Sequence, residues 1–259
     1  MTGRLRDIAY GILGLGILFA VAEAVPRLGL ISRDFLPPAD EILHTLLRDL
    51  AGRELWTALG ETMRAWAIGL AIAFVLALAL GVLIDAIPGA RAATTSTVEF
   101  LRPIPSVALI PLATLLYGAD LGSSLLLIVY ASFWQVLIQV LYGVADVDPV
   151  ARETARSYRL GRWTILRRLV WPTALPYVMT GLRLAAAVAF ILAVTAELVI
   201  GSPGLGLQIQ LAQSGGAVAE VYALIAVAGL TGVAVNLAVR QLERRLLAWH
   251  PSVRGETTR

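Results

Sequence analysis

Apolar residues in this chain come in runs long enough to cross a bilayer as helix, which takes roughly 20 residues. They cover residues 8–25, 65–84, 103–117, 121–142, 173–200 and 221–239, with polar segments between them. Residues 8–22 and 65–84 carry no charge at all. The third run is short and interrupted by Pro105 and Pro111, the fourth is continuous, and the fifth contains Arg183 and Glu197. This pattern predicts an all-α membrane protein of six transmembrane helices. No repeat, low-complexity tract or linker divides it, so residues 1–259 form one domain. Arg4 and Arg6 before the first run also suit a secretory signal, but no small-residue cleavage pattern follows cleanly and "EAVPRLGLISRDFLPP" reads as an exit loop, so the first span is expected to be retained.

Two polar segments carry helical patterns of their own. Between the first two spans, Asp40 is placed to cap a helix in which Ile42, Leu43, Leu46, Leu47 and Leu50 recur at helical spacing. That predicts an amphipathic helix on the outer membrane surface, with His44 as an interfacial polar residue. Between the fourth and fifth spans, over residues 147–172, Asp148 followed by Pro149 is a helix start. At 100° per residue Arg152, Arg156, Arg159 and Arg162 fall within about a third of the circumference. Gly161 offers a break, and a second helix follows that Pro172 ends or kinks.

Composition changes the picture by exclusion. With 58% hydrophobic and 15% charged residues the chain is far from a soluble domain. It has no cysteine, and its two histidines are far apart, so disulfide, thiolate and histidine-cluster chemistry have no material. All 21 basic residues are arginine, and without lysine a G-K-[ST] phosphate loop cannot exist. If ATP is used, another chain hydrolyses it. No H-E-x-x-H or comparable set suggests a membrane enzyme, and the arginines alternate with apolar runs instead of forming a nucleic-acid-binding face.

With the N-terminus inside, segments 1–7, 85–102, 144–172 and 240–259 hold 15 arginines, the outer segments hold five, and Arg183 lies within a span. The positive-inside rule therefore puts both termini and the 147–172 segment in the cytoplasm. Arginines there can serve topology alone, pairing with anionic lipid headgroups. Their neighbours Glu153, Ala155, Leu160, Trp163, Leu166 and Leu169 point instead to a defined helical piece built to dock in a partner's groove.

The segment resembles the EAA loop of ATP-binding-cassette importer permeases, whose pattern is E-A-A, three residues, G, nine residues, I-x-L-P. Glu153, Thr154 and Ala155 stand at E-A-A, Leu169, Trp171 and Pro172 at I-x-L-P, and the spacing is kept. Arg159 occupies the glycine position, with Gly161 two residues later, so the turn after the helix is expected to shift. Along the chain, "LWTALGETMRAWAIGLAIAFVLALALGVLI" (55–84), "LRPIPSVALIPLATLLYG" (101–118), "ALPYVMTGLRLA" (174–185) and "AELVIGSPGLGLQI" (196–209) are similar to the subfamily that imports nitrate, sulfonates and taurine.

The resemblance implies a homodimeric permease that binds no cofactor itself. Two cytoplasmic ATPase subunits carry ATP and Mg, and an extracytoplasmic binding protein delivers a small anionic solute. It marks Asp148, Arg152, Glu153, Ala155, Arg156, Arg159, Gly161, Arg162 and Pro172 as the coupling segment.

For the pathway or its gate the candidates are Arg102, Pro103, Pro105, Pro111, Arg183, Glu197, Gly204 and Gly206. Ionisable groups in spans are costly and suggest function. Arg183 and Glu197, 14 residues apart, face the same side of one helix without touching. Arg183 reads either as a cation reaching the inner interface or as a cavity residue, and Glu197 either as a partner of backbone or another span or as a cavity residue. Three prolines in nine residues predict a pore-lining span able to bend, and "GSPGLG" (201–206) a re-entrant turn in the outer gate. An ATP-independent channel or secondary transporter is the competing class.

Overall fold

The structure, a computed structural model, describes residues 2–87 and 89–249; His250, Arg254 and Arg259 lie outside them. It is helical throughout, with no strand among the described residues. The helices are α1 (Thr2–Arg27), α2 (Ala39–Ala51), α3 (Arg53–Ala86), α4 (Ala90–Leu101), α5 (Ile110–Tyr117), α6 (Leu121–Ala145), α7 (Pro149–Ser157), α8 (Arg162–Ile165), α9 (Trp171–Ile200), α10 (Leu205–Ser214) and α11 (Val218–Leu246). Among the described residues, four helical runs are long and apolar enough to cross a membrane, or five if α4 and α5 form one bent span.

The core is a three-helix block in which α6 packs along both α9 and α3. Small residues make that approach possible. Along α3, Ala65, Gly69, Ala73, Ala77 and Gly81 recur every four residues, and all five are buried. In lipid, where apolar burial gives helices no advantage over acyl chains, such close contact is the main source of helix association. A methyl at Gly69 would come within 2.5 Å of Ile128 Cγ2, and one at Gly143 of α6 within 2.9 Å of Ala174 Cα on α9. The Trp66 indole N–H donates to the Ala186 carbonyl of α9 at 3.0 Å, fixing the block near its middle.

Several elements differ from the sequence expectation. The second span begins at Arg53, twelve residues before the apolar run, because the amphipathic segment ends at Gly52 and the chain turns directly into α3. Asp40 is not at the N-cap of α2; Pro38 holds that position and accepts no side-chain bond. Asp40, in the first turn, accepts from the Glu41 N–H at 2.8 Å through one carboxylate oxygen and from Arg27 at 2.7 Å through the other, and its backbone N–H donates to Glu23 at 3.1 Å, tying α2 to the end of α1. The third apolar run is only the second half of a broken element. The axes of α4 and of the segment Ser106–Tyr117 meet at 79°, with Pro103 and Pro105 in the break and Pro111 in the first turn of α5.

Pro172 neither ends nor sharply kinks its helix. It sits in the first turn of α9, which continues from α8 through a π-helical turn at Leu166–Val170. A proline cannot donate to the carbonyl four residues back, and widening the preceding turn re-registers the ladder around that gap.

Gly143→Val should force the α6 and α9 backbones apart and lower the melting temperature of the purified protein by about 2–10 °C, the effect of overpacking by one to three kcal/mol. Gly60→Ala, which meets nothing within 4 Å, should leave it unchanged.

Candidate functional site

The 149–170 segment projects from one end of the bundle, the α7 end, while α10 lies at the other, the α10 end. Asp148 caps α7 as its spacing predicts, its carboxylate accepting from the Val150 N–H at 2.8 Å, with Pro149 in the first turn. The helix is short, however, and stops at Ser157. Only Arg152 and Arg156 lie on it, so the four-arginine helical face does not form; Arg159 is in the turn and Arg162 begins α8.

The turn has not shifted to Gly161. Arg159 takes the left-handed conformation with φ +54°, and it is the one non-glycine residue among the described residues to do so. Its N–H donates to Arg156 O at 2.8 Å and the Leu160 N–H to Ala155 O at 3.0 Å, the paired bonds that close a helix C-terminus around a left-handed residue. Gly161 is extended, φ −63°, and merely precedes α8. The turn geometry is thus kept at the motif position without the glycine that would make it cheap.

Around this turn the chain exposes what a docking surface needs. Val150, Tyr158, Leu160 and Trp163 are exposed, as are Glu153, Arg156, Arg159 and Arg162. Aromatic and arginine side chains of this kind dominate binding hot spots. A groove of about 450 Å³ between α7 and the π-turn is lined by Ala155, Tyr158, Leu160, Ile165 and Leu169 among others. Arg152 is turned inward and pairs with Asp85, at the end of α3, at 3.2 Å. Sequence reading missed Asp85 as a partner.

A recess of about 500 Å³ separates α4 from the second half of α6. Arg91, Thr94, Thr95, Glu99 and Arg102 line it from one stripe of α4, with Pro103 at its edge and Ile138, Leu141 and Tyr142 opposite. Arg102 and Pro103 thus meet as pathway candidates, joined by Arg91, Thr94, Thr95 and Glu99. With Val98, their stripe of positions i, i+3, i+4, i+7, i+8 and i+11 was visible in the sequence once α4 is recognised as a helix. The Tyr130 hydroxyl donates to Leu101 O at 2.7 Å and holds the break against α6.

Glu197 does not line a cavity. Its side chain is fully buried and its Oε2 accepts from the Thr62 hydroxyl at 2.8 Å and the Gly206 N–H at 3.0 Å. Thr62 in turn accepts from the Leu205 N–H at 2.9 Å. The first two N–H groups of α10 are orphan donors, because Gly204 has no side chain to cap them. Thr62 of α3 and Glu197 of α9 supply the cap from outside. A Cβ on Gly204, whose φ is +156°, would overlap the Glu197 carboxyl, and one on Gly206 would overlap the α9 backbone. Gly204 and Gly206 are therefore close-packing positions that seat α10.

Arg183 is separate from this cluster. It pairs with Glu243 of α11 at 3.6 Å and is half exposed, so the two charged residues of the fifth span have separate surroundings. Near the α10 end, the Ser124 and Ser202 hydroxyls bond at 2.7 Å, and a second recess of about 410 Å³ is lined by Glu61, Arg64, Asp120 and Ser202 among others.

Residues 90–248 match the family described as "Binding-protein-dependent transport system inner membrane component". The chain is 33% identical over 254 residues, 96% of its length and 92% of the other's, to the taurine transport system permease protein TauC of Escherichia coli (strain K12). It is 30% identical, over 95% of its length and 89% of the other's, to the putative aliphatic sulfonates transport permease protein SsuC of Bacillus subtilis (strain 168). In fold it is similar to a chain in the crystal structure of a bacterial ABC transporter involved in the import of the acidic polysaccharide alginate, with TM-score 0.64, 15% identity, and coverage of 94% of this chain and 96% of that one.

Arg159→Gly should relieve the left-handed strain and raise the melting temperature by about 2–4 °C, which corresponds to roughly one kcal/mol. Unchanged or lower stability in a thermal melt of the purified protein would contradict this account of the turn.

Proposed function

The chain belongs to the binding-protein-dependent transport system inner membrane component family, and from that premise we propose that it spans the membrane six times and pairs with a second copy to pass a small anionic solute. It is a permease subunit of an ATP-binding-cassette importer, a multi-pass protein of the bacterial inner membrane and a transport subunit whose ATPase is a separate chain. Importers of this kind work with an ATPase and a solute-binding protein.

The six spans are α1, α3, the bent α4–α5 pair, α6, the run from α8 through α9, and α11. Both termini and the α7 end face the cytoplasm, in agreement with the arginine distribution. The apolar outer surface of α5, with Leu115 83% exposed, suits contact with a second copy or with lipid. Residues 1–259 act as one permease domain.

The observation that carries the reading is α7 with its turn: a capped helix ending in exposed aromatic and arginine side chains, on a chain with no lysine for a phosphate loop of its own. We assign Asp148, Arg152, Glu153, Ala155, Arg156, Arg159, Gly161, Arg162 and Pro172 to the coupling element, with Gly161 and Pro172 shaping the return to the membrane. Two cytoplasmic ATPase subunits, holding ATP and Mg, receive one α7 from each permease copy. Their closure on ATP moves α7, turns the spans outward, and lets the binding protein release its solute. This chain supplies no cofactor site.

The solute follows the α4–α6 recess, where Arg91 and Arg102 offer two cations to a sulfonate, the Glu99 carboxylate and the Thr94 and Thr95 hydroxyls can accept from an ammonium, and Ile138 and Leu141 give an apolar wall. That chemistry suits a compact sulfonate, either zwitterionic taurine or an aliphatic sulfonate, the solutes named for the relatives above. Pro103, Pro105 and Pro111 let the span bend as the pathway opens. Arg183 counts as an inner-end residue held by Glu243, and α10 with Gly204 and Gly206 as part of the outer gate.

In vesicles reconstituted with the ATPase and binding protein, Glu153→Arg should leave the permease inserted but abolish ATP-driven taurine uptake while ATP hydrolysis continues. Normal coupled uptake would defeat the assignment, and uptake driven by an ion gradient without ATP would favour a secondary transporter. Arg102→Gln should slow uptake at saturating binding protein roughly tenfold, the loss of one charge-assisted hydrogen bond to the anion; an unchanged rate removes Arg102 from the pathway.

A further inference from the structure

The coupling helix reaches the α10 end by two kinds of route. The first is covalent: back through Asp146–Asp148 into α6, whose far-end bond, Ser124 to Ser202 at 2.7 Å, meets the link before α10 and not α10 itself, and forward along α9, which is soft at both ends. At the α7 end it begins with the π-turn Leu166–Val170 and contains Pro172 and Pro176, so its ladder is interrupted where force would enter. At the α10 end it leaves through Gly201, Ser202, Pro203 and Gly204, where the two glycines have positive φ.

The second route is α3. This helix is unbroken over 34 residues and contains no proline. From Thr62 to Asp85 it rises about 35 Å at 1.5 Å per residue. At the α7 end its Asp85 carboxylate pairs with Arg152 at 3.2 Å, each side chain only 26% exposed, which makes it the one ion pair between α7 and a spanning helix among the described residues. At the other end the Thr62 hydroxyl both donates to Glu197 and accepts from the first N–H of α10. Gly204 and Gly206 pack so closely on Glu197 and the α9 backbone that neither position has room for a side chain, which seats α10 against this contact. Between the joints, the small-residue stripe keeps α3 pressed to α6.

We propose that α3 is the strut through which the coupling helix drives α10, with Asp85 and Arg152 as its joint to α7 and with Thr62 and Glu197 as its joint to α10. Asp85 and Thr62 are positioning residues for transport: neither touches ATP or solute. The inference rests on the importer reading above, and goes beyond it by naming which helix carries the movement.

The test uses the complete importer in vesicles, permease with its ATPase and taurine-loaded binding protein. Three quantities are read: basal ATP hydrolysis, its stimulation by the binding protein, and taurine imported per ATP. Asp85→Asn and Thr62→Val should assemble and hydrolyse ATP at the basal rate, but lose stimulation and taurine per ATP by roughly threefold to tenfold, the scale of one part-buried ion pair or one buried hydrogen bond. Asp85→Glu and Thr62→Ser keep the charge and the hydroxyl and should recover most of both. Combining Asp85→Asn with Arg152→Gln should be no worse than Arg152→Gln alone, since one broken joint is already broken.

Full stimulation and unchanged taurine per ATP in both Asp85→Asn and Thr62→Val would overturn the proposal. So would a loss shared equally by the Glu and Ser variants and matched by lower melting temperature, which marks a purely structural role. If the unmodified importer shows no ATP-driven uptake of taurine or of any aliphatic sulfonate, the solute reading above fails, a result distinct from a coupled parent whose variants are equally coupled.

Discussion

Everything in this molecule depends on how closely the backbones of α3, α6 and α9 approach one another. Inside a bilayer a leucine gains nothing by leaving lipid for protein, so helices associate through surfaces that fit. The alanines and glycines of α3, with Gly143 and Gly181 on the facing helices, make such a surface. The three-helix block they form gives fixed points to which polar contacts can be attached. Trp66–Ala186 and Thr62–Glu197 join helices of the block to one another, and Arg152–Asp85 ties α7 to its end. Where the block ends, helices diverge, and between α4 and α6 a polar recess opens instead of a packed seam.

The sequence made much of this legible. Hydropathy located the apolar cores of α3, α6, α9 and α11, and the Asp-Pro pair marked the start of α7 because capping is a local interaction between neighbours. It missed what depends on contacts across the chain. Asp40 has the look of a cap and keeps one such bond, from the Glu41 N–H, but the cap position falls to Pro38 and its other contacts go to Arg27 and Glu23 of another helix. Arg159 argued for a displaced turn, yet the two hydrogen bonds that close α7 outweigh the strain of one left-handed arginine.

The residues assigned above to coupling and to the pathway were unevenly visible for the same reason. Glu153, Ala155 and Pro172 stand out through a linear motif, and the structure leaves the first exposed beside Arg156. Asp85, Thr62 and Arg91 belong to no motif; they are polar residues near the ends of helices, and only packing tells which of those meet. Glu197 was found for the right reason, its cost within a span, but its Oε2 is spent on capping α10, while its buried Oε1 has no hydrogen-bond partner. Arg183 likewise has its counter-charge on Glu243, more than one helix further along the chain.

The fit between Gly204 and Glu197 has a consequence on a different timescale, that of sequence drift. Any side chain at position 204 collides with the carboxyl at 197, while shortening the residue at 197 first would strip α10 of its cap. The two positions, with Thr62, are thus bound by epistasis: an accepted change at one depends on what already stands at the others. Change at 204 is blocked while a carboxyl stands at 197, so a lineage leaves this arrangement only by changing 197 first, at the cost of the Gly206 bond, or both together.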